Sequence, residues 1–556
     1  MLASFMAEAG SISISNILML LAGLGVFLVG MNMMSSSMEK LANTSLRSLL
    51  NSVTNNRIKG VGVGASMTVI IQSSSATTVM TVGFVNAGIL TLTQAVPIIM
   101  GANIGTTITA QLAALQSFDI TTWLMLLSFV GAFMTILGKK DKTKTLGTIL
   151  AGLGMLFIGL DLMSDAMRVM RDAPFFQETL QTITNPILLL VIGALFTALI
   201  QSSSAATGII VSMAAAGIAI GGGGNAVLYV ILGTNIGTCV TALLSSIGAN
   251  ANGKRASLVH LMFNVIGSIA FMIMLVLWPS FFEVTFQTWF PGEAAAATQI
   301  AMFHTLFNVV TTLLLLPLSN VLVKIATVLI KDKADEKEVL RCKFIDDRFL
   351  ETPAIAVAQS VKEVTNAILV AQEALNIAIN AFTSKDNSKL AEVEQYRKQL
   401  KFYSSSITKY IIKVSNKEVA YADEKTLGMI HHALTDVDRL SELAENIRRY
   451  CCTVEETGLA FSPAVMDEIK HMQATLDEQF AAVVDVFEYK VASRLPEIEA
   501  REDIVDNCKK VLLESHIKRL NEGECQIESS SVFINLVNNL ERVGDHLAKI
   551  ARGAVQ

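Results

Sequence analysis

Long stretches of this chain carry no charge, and that absence is the first constraint on what it can be. Of its 556 residues, 16% are Asp, Glu, Lys or Arg and 52% are hydrophobic. The runs Val61–Phe118 and Ile187–Gly253 contain no charged residue at all. An ordinary soluble enzyme is excluded by such runs. A basic start is also missing: residues 1–15 hold neither Lys nor Arg, so no cleaved signal peptide is expected. Cysteine is sparse and irregular, as Cys239, Cys342, Cys451, Cys452, Cys508 and Cys525, which fits neither a zinc site nor a disulfide framework. A reducing compartment for the soluble part follows. The formal charge of −5 is small for this length and speaks against a nucleic-acid partner. There is no catalytic triad, phosphate-binding glycine loop or Walker motif, so the expectation is a protein that is not an enzyme and is not driven by ATP.

What is present is a duplication. Gln72-Ser73-Ser74-Ser75-Ala76 recurs letter for letter as Gln201-Ser202-Ser203-Ser204-Ala205, and Ala22-Gly23-Leu24-Gly25 recurs as Ala151-Gly152-Leu153-Gly154, both 129 positions on. Gly101-Ala102-Asn103-Ile104-Gly105-Thr106 returns as Gly233-Thr234-Asn235-Ile236-Gly237-Thr238, after a gap three residues longer. Three matches in one order indicate one repeated unit. Each unit holds a span, a segment too long and too interrupted by Ser and Gly for one crossing, and two more spans. The interrupted segment, Val61–Leu90 in the first unit, reads as a re-entrant hairpin that leaves on the side it entered. Three crossings per unit turn the second copy upside down, the inverted-repeat plan of secondary transporters.

The basic residues divide accordingly. Lys40, Arg47, Arg57 and Lys59, then Lys139 to Lys144, then Lys254 and Arg255 mark cytoplasmic loops. Ser164–Pro186, where Arg168 and Arg171 are set against Asp165, Asp172 and Glu178, and Ser280–Thr298, without Lys or Arg, are outside. The expected fold class is all-α: a polytopic membrane protein with inverted repeats, re-entrant hairpins and a cytoplasmic helical-bundle domain. A membrane transport domain spans 1–330, with repeat 1 at about 16–138, repeat 2 at about 145–278 and an extra span at 300–323. Seven crossings leave the N-terminus outside, in the inner (cytoplasmic) membrane. Residues 331–345 read as a linker, and 346–556 as roughly six amphipathic helices broken at Asp386, near Asn416, at Gly458, at Pro496 and near Gly523.

A helix that begins inside a membrane at a serine block offers unpaired N–H groups, the positive end of a dipole and hydroxyl donors, a combination suited to an oxyanion. With no Lys or Arg in either run, the compensating charge has to come from a co-bound hard cation held by oxygen ligands. Asn103, Thr106, Asn235 and Thr238 lie in Gly-flanked stretches that could unwind to supply them; helix packing through small residues is the alternative. His260-x-x-Phe263-Asn264 and His304-x-x-Phe307-Asn308 form a further echo, for which interhelical hydrogen bonding is favoured over a proton relay. In the soluble part, Asp438 and Glu442, then Glu541 and Asp545, place carboxylate pairs on one helix face, 103 positions apart. A solvated face with Arg439 and Arg542 as partners is the alternative to metal binding there.

The duplicated Gln-Ser-Ser-Ser motifs, each followed by Gly-x-Asn-Ile-Gly-Thr, resemble those of type II sodium-dependent phosphate cotransporters over about 16–325. The resemblance implies sodium-coupled symport of inorganic phosphate, with phosphate at Gln72, Ser73, Ser74, Ser75, Gln201, Ser202, Ser203 and Ser204. It places sodium at nearby oxygens: Thr77, Thr78, Asn103, Thr106, Thr207, Asn235 and Thr238. Ala206 stands where the first unit has Thr77, so the second has one hydroxyl fewer. The soluble half resembles the PhoU family of phosphate-signalling proteins, which implies a regulatory role and a divalent or iron-type metal at Asp438, Glu442, Glu541 and Asp545. Expected partners are inorganic phosphate, sodium and the lipid bilayer, with homo-oligomerisation open. A membrane-anchored phosphate sensor and a transporter of another oxyanion are the competing readings.

Overall fold

The structure, a computed structural model, describes residues 14–51, 56–118, 120–171, 182–292, 295–332, 340–417, 419–523 and 527–555. Among the described residues every regular element is a helix. The chain divides into two compact units, Met1–Asp335 and Glu336–Gln556.

The membrane unit runs α1 (Ile14–Asn51), α2 (Arg57–Ile71), α3 (Ser74–Asn86), α4 (Leu92–Ala114) and α5 (Thr121–Leu137). The same order then repeats as α6 (Asp141–Arg171), α7 (Pro186–Ile200), α8 (Ser203–Ala215), α9 (Ala226–Ser245) and α10 (Ala251–Leu277), followed by α11 (Ala296–Leu315) and α12 (Ser319–Leu329). Local chemistry repeats as well. Asn56 and Asn185, 129 apart, each cap the next helix by accepting two backbone N–H groups, at Ile58 and Lys59 and at Ile187 and Leu188. The paired helices α2 and α3, or α7 and α8, have 15 and 13 residues. At about 1.5 Å per residue each is some 20 Å long, short of a hydrocarbon core about 30 Å thick. Helices α1, α4, α6, α9, α10 and α11 are long and apolar enough to cross.

Three departures from the sequence reading have local causes. Between Lys40 and Asn51 there is neither Pro nor Gly, so α1 continues through Lys40 and Arg47, where a loop was expected. In the same way α6 continues past Ser164 to Arg171; Asp172 and Glu178 lie outside the described residues. The last span, expected as one segment over 300–323, stops at Leu315 and restarts at Ser319 because Pro317 has no N–H with which to continue the ladder. Arg57 Nη1 takes up the carbonyls left there, lying 3.4 Å from Leu316 O and 3.2 Å from Pro317 O.

Glycine sets the closest contacts. Helix α2 lies on α4, and α7 lies on α9. A Cβ on Gly101 would sit 2.0 Å from Val61 O, and one on Gly233 would sit 2.0 Å from Leu190 O. The Gly-x-Asn-Ile-Gly-Thr stretches are therefore continuous helix pressed against a neighbour, not unwound backbone. The second helix of each pair reaches the other repeat: α3 packs on α9 and α10, and α8 packs on α4, with further contacts to α6 of its own repeat and to α11.

Among the described residues the second unit is a bundle of six long helices: α13 (Pro353–Ser384), α14 (Leu390–Ser415), α15 (Tyr421–Thr457), α16 (Pro463–Tyr489), α17 (Leu495–Asn521) and α18 (Ser529–Val555). The breaks fall where the sequence places them, with Lys385, Gly458 and Lys490 in left-handed conformation at helix ends. Helix α13 is as long and apolar as a membrane span. It serves instead as the core of the bundle, packed on α14, α15 and α16. At its centre the fully buried Glu363 accepts the backbone N–H groups of Phe344 and Ile345. All five described cysteines are free thiols.

Two predictions follow from this packing. Gly101→Ala and Gly233→Ala should each cost about 1–3 kcal/mol or more, since the added methyl meets backbone that cannot rotate away. Gly25→Ala, with open space around it, should leave the unfolding temperature of the purified chain nearly unchanged. In the bundle, Glu445 accepts from Arg448 Nε and Nη2, both at 2.8 Å, and from Arg449 Nε at 3.1 Å. The Arg448 hydrogen bonds hold its carboxyl below the usual glutamate range. A lowered folded value stabilises above the unfolded pKa, about 4.3, and that contribution disappears as pH falls through the folded value. Glu445→Gln should therefore lower the bundle's melting temperature at pH 7, and the deficit should shrink as the melt is repeated at progressively lower pH.

Candidate functional site

Both Gln-Ser-Ser-Ser blocks are helix breaks of one design. Helix α2 ends on Gln72 in left-handed conformation, φ 56° and ψ 22°, and α7 ends on Gln201 at φ 57° and ψ 21°. Ser73 and Ser202 are then extended, and the next helix begins at once. A non-glycine residue held left-handed costs of order 1–3 kcal/mol, so identical strain at both copies requires surroundings that hold it. Each extended serine is an N-cap: Ser73 Oγ accepts from Ala76 N at 3.1 Å and Ser202 Oγ from Ala205 N at 3.2 Å. The N–H groups of Ser74 and Ser75, and of Ser203 and Ser204, have no acceptor within their own helices. They form two positive helix ends furnished with buried hydroxyls at Ser74, Ser203 and Ser204.

The flanking hydroxyls differ between the copies. Thr68 Oγ1 donates to Thr77 Oγ1 at 3.1 Å, tying the two arms of the first break. At the second break Ala206 replaces Thr77, and the buried Thr197 Oγ1, the counterpart of Thr68, finds no partner among the described residues. Thr78 Oγ1 and its counterpart Thr207 Oγ1 are both buried and unpartnered among those residues. Gln72 is locked, with Nε2 donating to Val69 O at 2.7 Å and Oε1 accepting from Thr109 Oγ1 at 3.2 Å. Gln201 is exposed, and the hydroxyl of Thr241, which occupies the position of Thr109, is buried without a partner among the described residues.

The motif residues on α4 and α9 donate to carbonyls of their own helices. Asn103 Nδ2 donates to Ile99 O at 2.9 Å and Asn235 Nδ2 to Ile231 O at 2.8 Å. Thr106 and Thr238 donate to Ala102 O and Thr234 O. In each case a proton is spent on the residue's own helix; the Asn235 oxygen is in addition met by His304 Nε2 at 3.3 Å and Asn308 Nδ2 at 3.5 Å. Sequence reasoning missed Thr68, Thr197, Thr109 and Thr241. They were findable, because each pair holds the same residue in the register of its neighbouring motif.

In the bundle the structure joins only one of the two acidic pairs. Glu541 and Asp545 meet Asp506 from α17, with ligand oxygens within 4.8 Å of one another, and Lys509 Nζ lies 3.1 Å from Glu541. Asp438 instead accepts from Ser404 at 3.0 Å, and Glu442 from Arg439 at 2.6 Å. Burial raises the Asp438 carboxyl above its usual range. Tyr403 stands 103 positions before Asp506, so the first half has no third carboxylate at that place.

The profile of the Na+/Pi-cotransporter family matches residues 26–165 and 169–288, and that of the PhoU domain matches 469–554. "Uncharacterized protein YqeW" of Bacillus subtilis (strain 168) is 33% identical over 308 residues, 55% of this chain and 96% of that protein. The chain belongs to the Na+/Pi-cotransporter family. "Putative inorganic phosphate export protein YjbB" of Escherichia coli (strain K12) is 25% identical over 549 residues, 97% of each chain. "Sodium-dependent phosphate transport protein 2A" of Mus musculus is 34% identical over 181 residues, 31% of this chain and 27% of that one. The crystal structure of PhoU from Pseudomonas aeruginosa matches 36% of this chain and 96% of its own, at 21% identity and a TM-score of 0.34. Membership makes this a multi-pass membrane protein of a phosphate-transport family that carries a PhoU domain.

The asymmetry between the breaks is testable by mutation. Thr77→Ala should leave the Thr68 hydroxyl in the condition of Thr197 and cost about 1 kcal/mol or more of stability. The Thr68→Ala, Thr77→Ala double change should cost less than the sum of the singles, as read from thermal unfolding of the purified chain.

Proposed function

We propose that the membrane unit transports inorganic phosphate together with sodium across the cytoplasmic membrane, and that the bundle adjusts this transport. The observation that carries the reading is the pair of helix breaks. Two positive helix ends with serine donors occur in charge-free runs, and each serine-led helix packs on the motif helix of the other repeat. Phosphate is held by the blocks Gln72–Ser75 and Gln201–Ser204, donors that fit an oxyanion and need no side-chain cation. Thr78, Thr207, Asn103, Asn235, Thr106 and Thr238 supply oxygens for sodium, with Thr77 contributing in the first repeat alone. Burying an anion on dipoles alone is expensive, so the cation is part of the cargo and not an accessory.

The two repeats have opposite orientation in this reading, each break entering from its own side, with the bundle in the cytoplasm. A symporter is reversible, and its net direction follows the combined sodium and phosphate gradients. A relative named as an export protein and relatives named as sodium-dependent transporters are compatible with one such machine. The carboxylates of Asp506, Glu541 and Asp545 are the place in the bundle where a divalent or iron-type cation fits, and Lys509 competes for it.

The direct test uses the purified full chain in liposomes with labelled phosphate. An imposed sodium gradient should drive phosphate accumulation that vanishes when the gradient is dissipated. Tight phosphate binding without flux would identify a sensor instead, and flux indifferent to sodium would remove the cation from the mechanism.

A further inference from the structure

The echo His260-x-x-Phe263-Asn264 on α10 and His304-x-x-Phe307-Asn308 on α11 has no part in the phosphate site, yet both copies converge on one stretch of α9. His304 Nε2 lies 3.3 Å from Asn235 Oδ1, and Asn308 Nδ2 lies 3.5 Å from the same oxygen. One turn along α9, Cys239 Sγ is 3.3 Å from Asn264 Nδ2. Each asparagine also donates to the carbonyl of its own histidine, Asn264 to His260 O at 3.0 Å and Asn308 to His304 O at 2.9 Å. All four side chains are buried, 0–1% exposed.

The polar atoms do not balance. With the amide nitrogens spent, Asn264 Oδ1 and Asn308 Oδ1 meet no donor among the described residues, and neither does His304 Nδ1 or either ring nitrogen of His260. If His304 donates through Nε2, its Nδ1 is a bare lone pair. A neutral His260 brings one N–H and one further lone pair. Acceptors therefore outnumber protons in a fully buried place with no formal charge, and unmatched buried acceptors are costly. Phe263 and Phe307, the apolar residues of the echo, are both fully buried as well.

We infer that Asn264 and Asn308 form a second sodium site, abutting the α9 turn at Asn235. This rests on the proposed function. Phosphate carries roughly one to two negative charges near neutral pH, and one monovalent cation leaves the dianion with a net negative charge that a second cation would cancel. Amide oxygens suit a hard cation, whereas imidazole nitrogens suit transition metals, so the oxygens are the ligands. His304 is a positioning residue that orients Asn235 toward the cluster.

The test is the sodium dependence of phosphate uptake by the full chain in liposomes, for wild type, Asn264→Ala with Asn308→Ala, and Asn308→Asp. The double alanine variant should need about tenfold more sodium for half-activation and respond less steeply. Asn308→Asp, which puts a charged oxygen in the same place, should need severalfold less. A merely structural asparagine gives no such gain. An unchanged sodium curve in a transporting double variant overturns the inference, as does a displaced pH profile with the sodium curve unmoved, which would make the site a proton's. Should the double variant fail to insert, Asn308→Asp decides alone, and unchanged or weakened sodium activation counts against the site. If wild type shows no sodium-dependent flux, the functional reading falls. The site is then read without flux, as protection of the purified chain from heat by sodium over choline chloride, which should be lost in Asn308→Ala; equal protection would refute it.

Discussion

In the proposed function an anion in a charge-free membrane interior has to be held by something other than lysine or arginine, and the membrane unit is read through this constraint. The runs Val61–Phe118 and Ile187–Gly253 contain no charged side chain, so electropositive character comes only from helix ends and hydroxyl protons. Ending a helix in mid-unit requires a residue to leave the helical conformation, and Gln72 and Gln201 do so in left-handed geometry. The serine that follows caps the next helix, leaving two further N–H groups at its end unclaimed. The close packing of α2 on α4 and of α7 on α9, through Gly101 and Gly233, supplies the rigid wall that such strain needs.

Duplication gives the protein two nearly identical sites, and the differences between them are as informative as the likeness. At the first break Thr68 is bonded to Thr77 and Gln72 is held by Thr109, leaving Thr78 Oγ1 as the buried hydroxyl without a partner among the described residues. The second leaves Thr197 and Thr241 with buried hydroxyls that have no partner among the described residues, and exposes Gln201. Unequal local stability is what an alternating machine requires, since one gate must hold while the other yields. In the proposed function the second break is the more readily rearranged of the two.

Much of this was legible from residues alone, for physical reasons. Exact recurrence at 129 positions marks repeated structure whatever the packing, and the breaks at Gln72 and Gln201 appear where Ser-rich text interrupts apolar text. The six helices of the bundle were readable because Gly458, Asn416 and Pro496 carry their own conformational preferences. Helix ends without such residues were not: α1 and α6 run on because nothing in their sequence stops them. The glycines of the Asn motifs suggested unwinding, but their use depends on a partner helix one segment away in sequence. Asp506 was invisible for the same reason, since it joins Glu541 and Asp545 only when α17 lies against α18. The acid pair Asp438 and Glu442 looked equivalent to them in one dimension and is not in three.

The central claim is that the two breaks serve one shared oxyanion. The most direct measurement is a double-mutant cycle on phosphate affinity, using Ser74→Ala, Ser203→Ala and the pair in the full-length protein. Each single change deletes a donor to a charged group, worth about 1.5–3 kcal/mol, or roughly ten- to a hundredfold in affinity. If both act on the same ligand, the combined loss should depart from the sum of the singles, with sodium affinity falling alongside by linkage. Wild-type phosphate affinity in both single variants, or two losses that simply add with sodium binding untouched, would contradict the account.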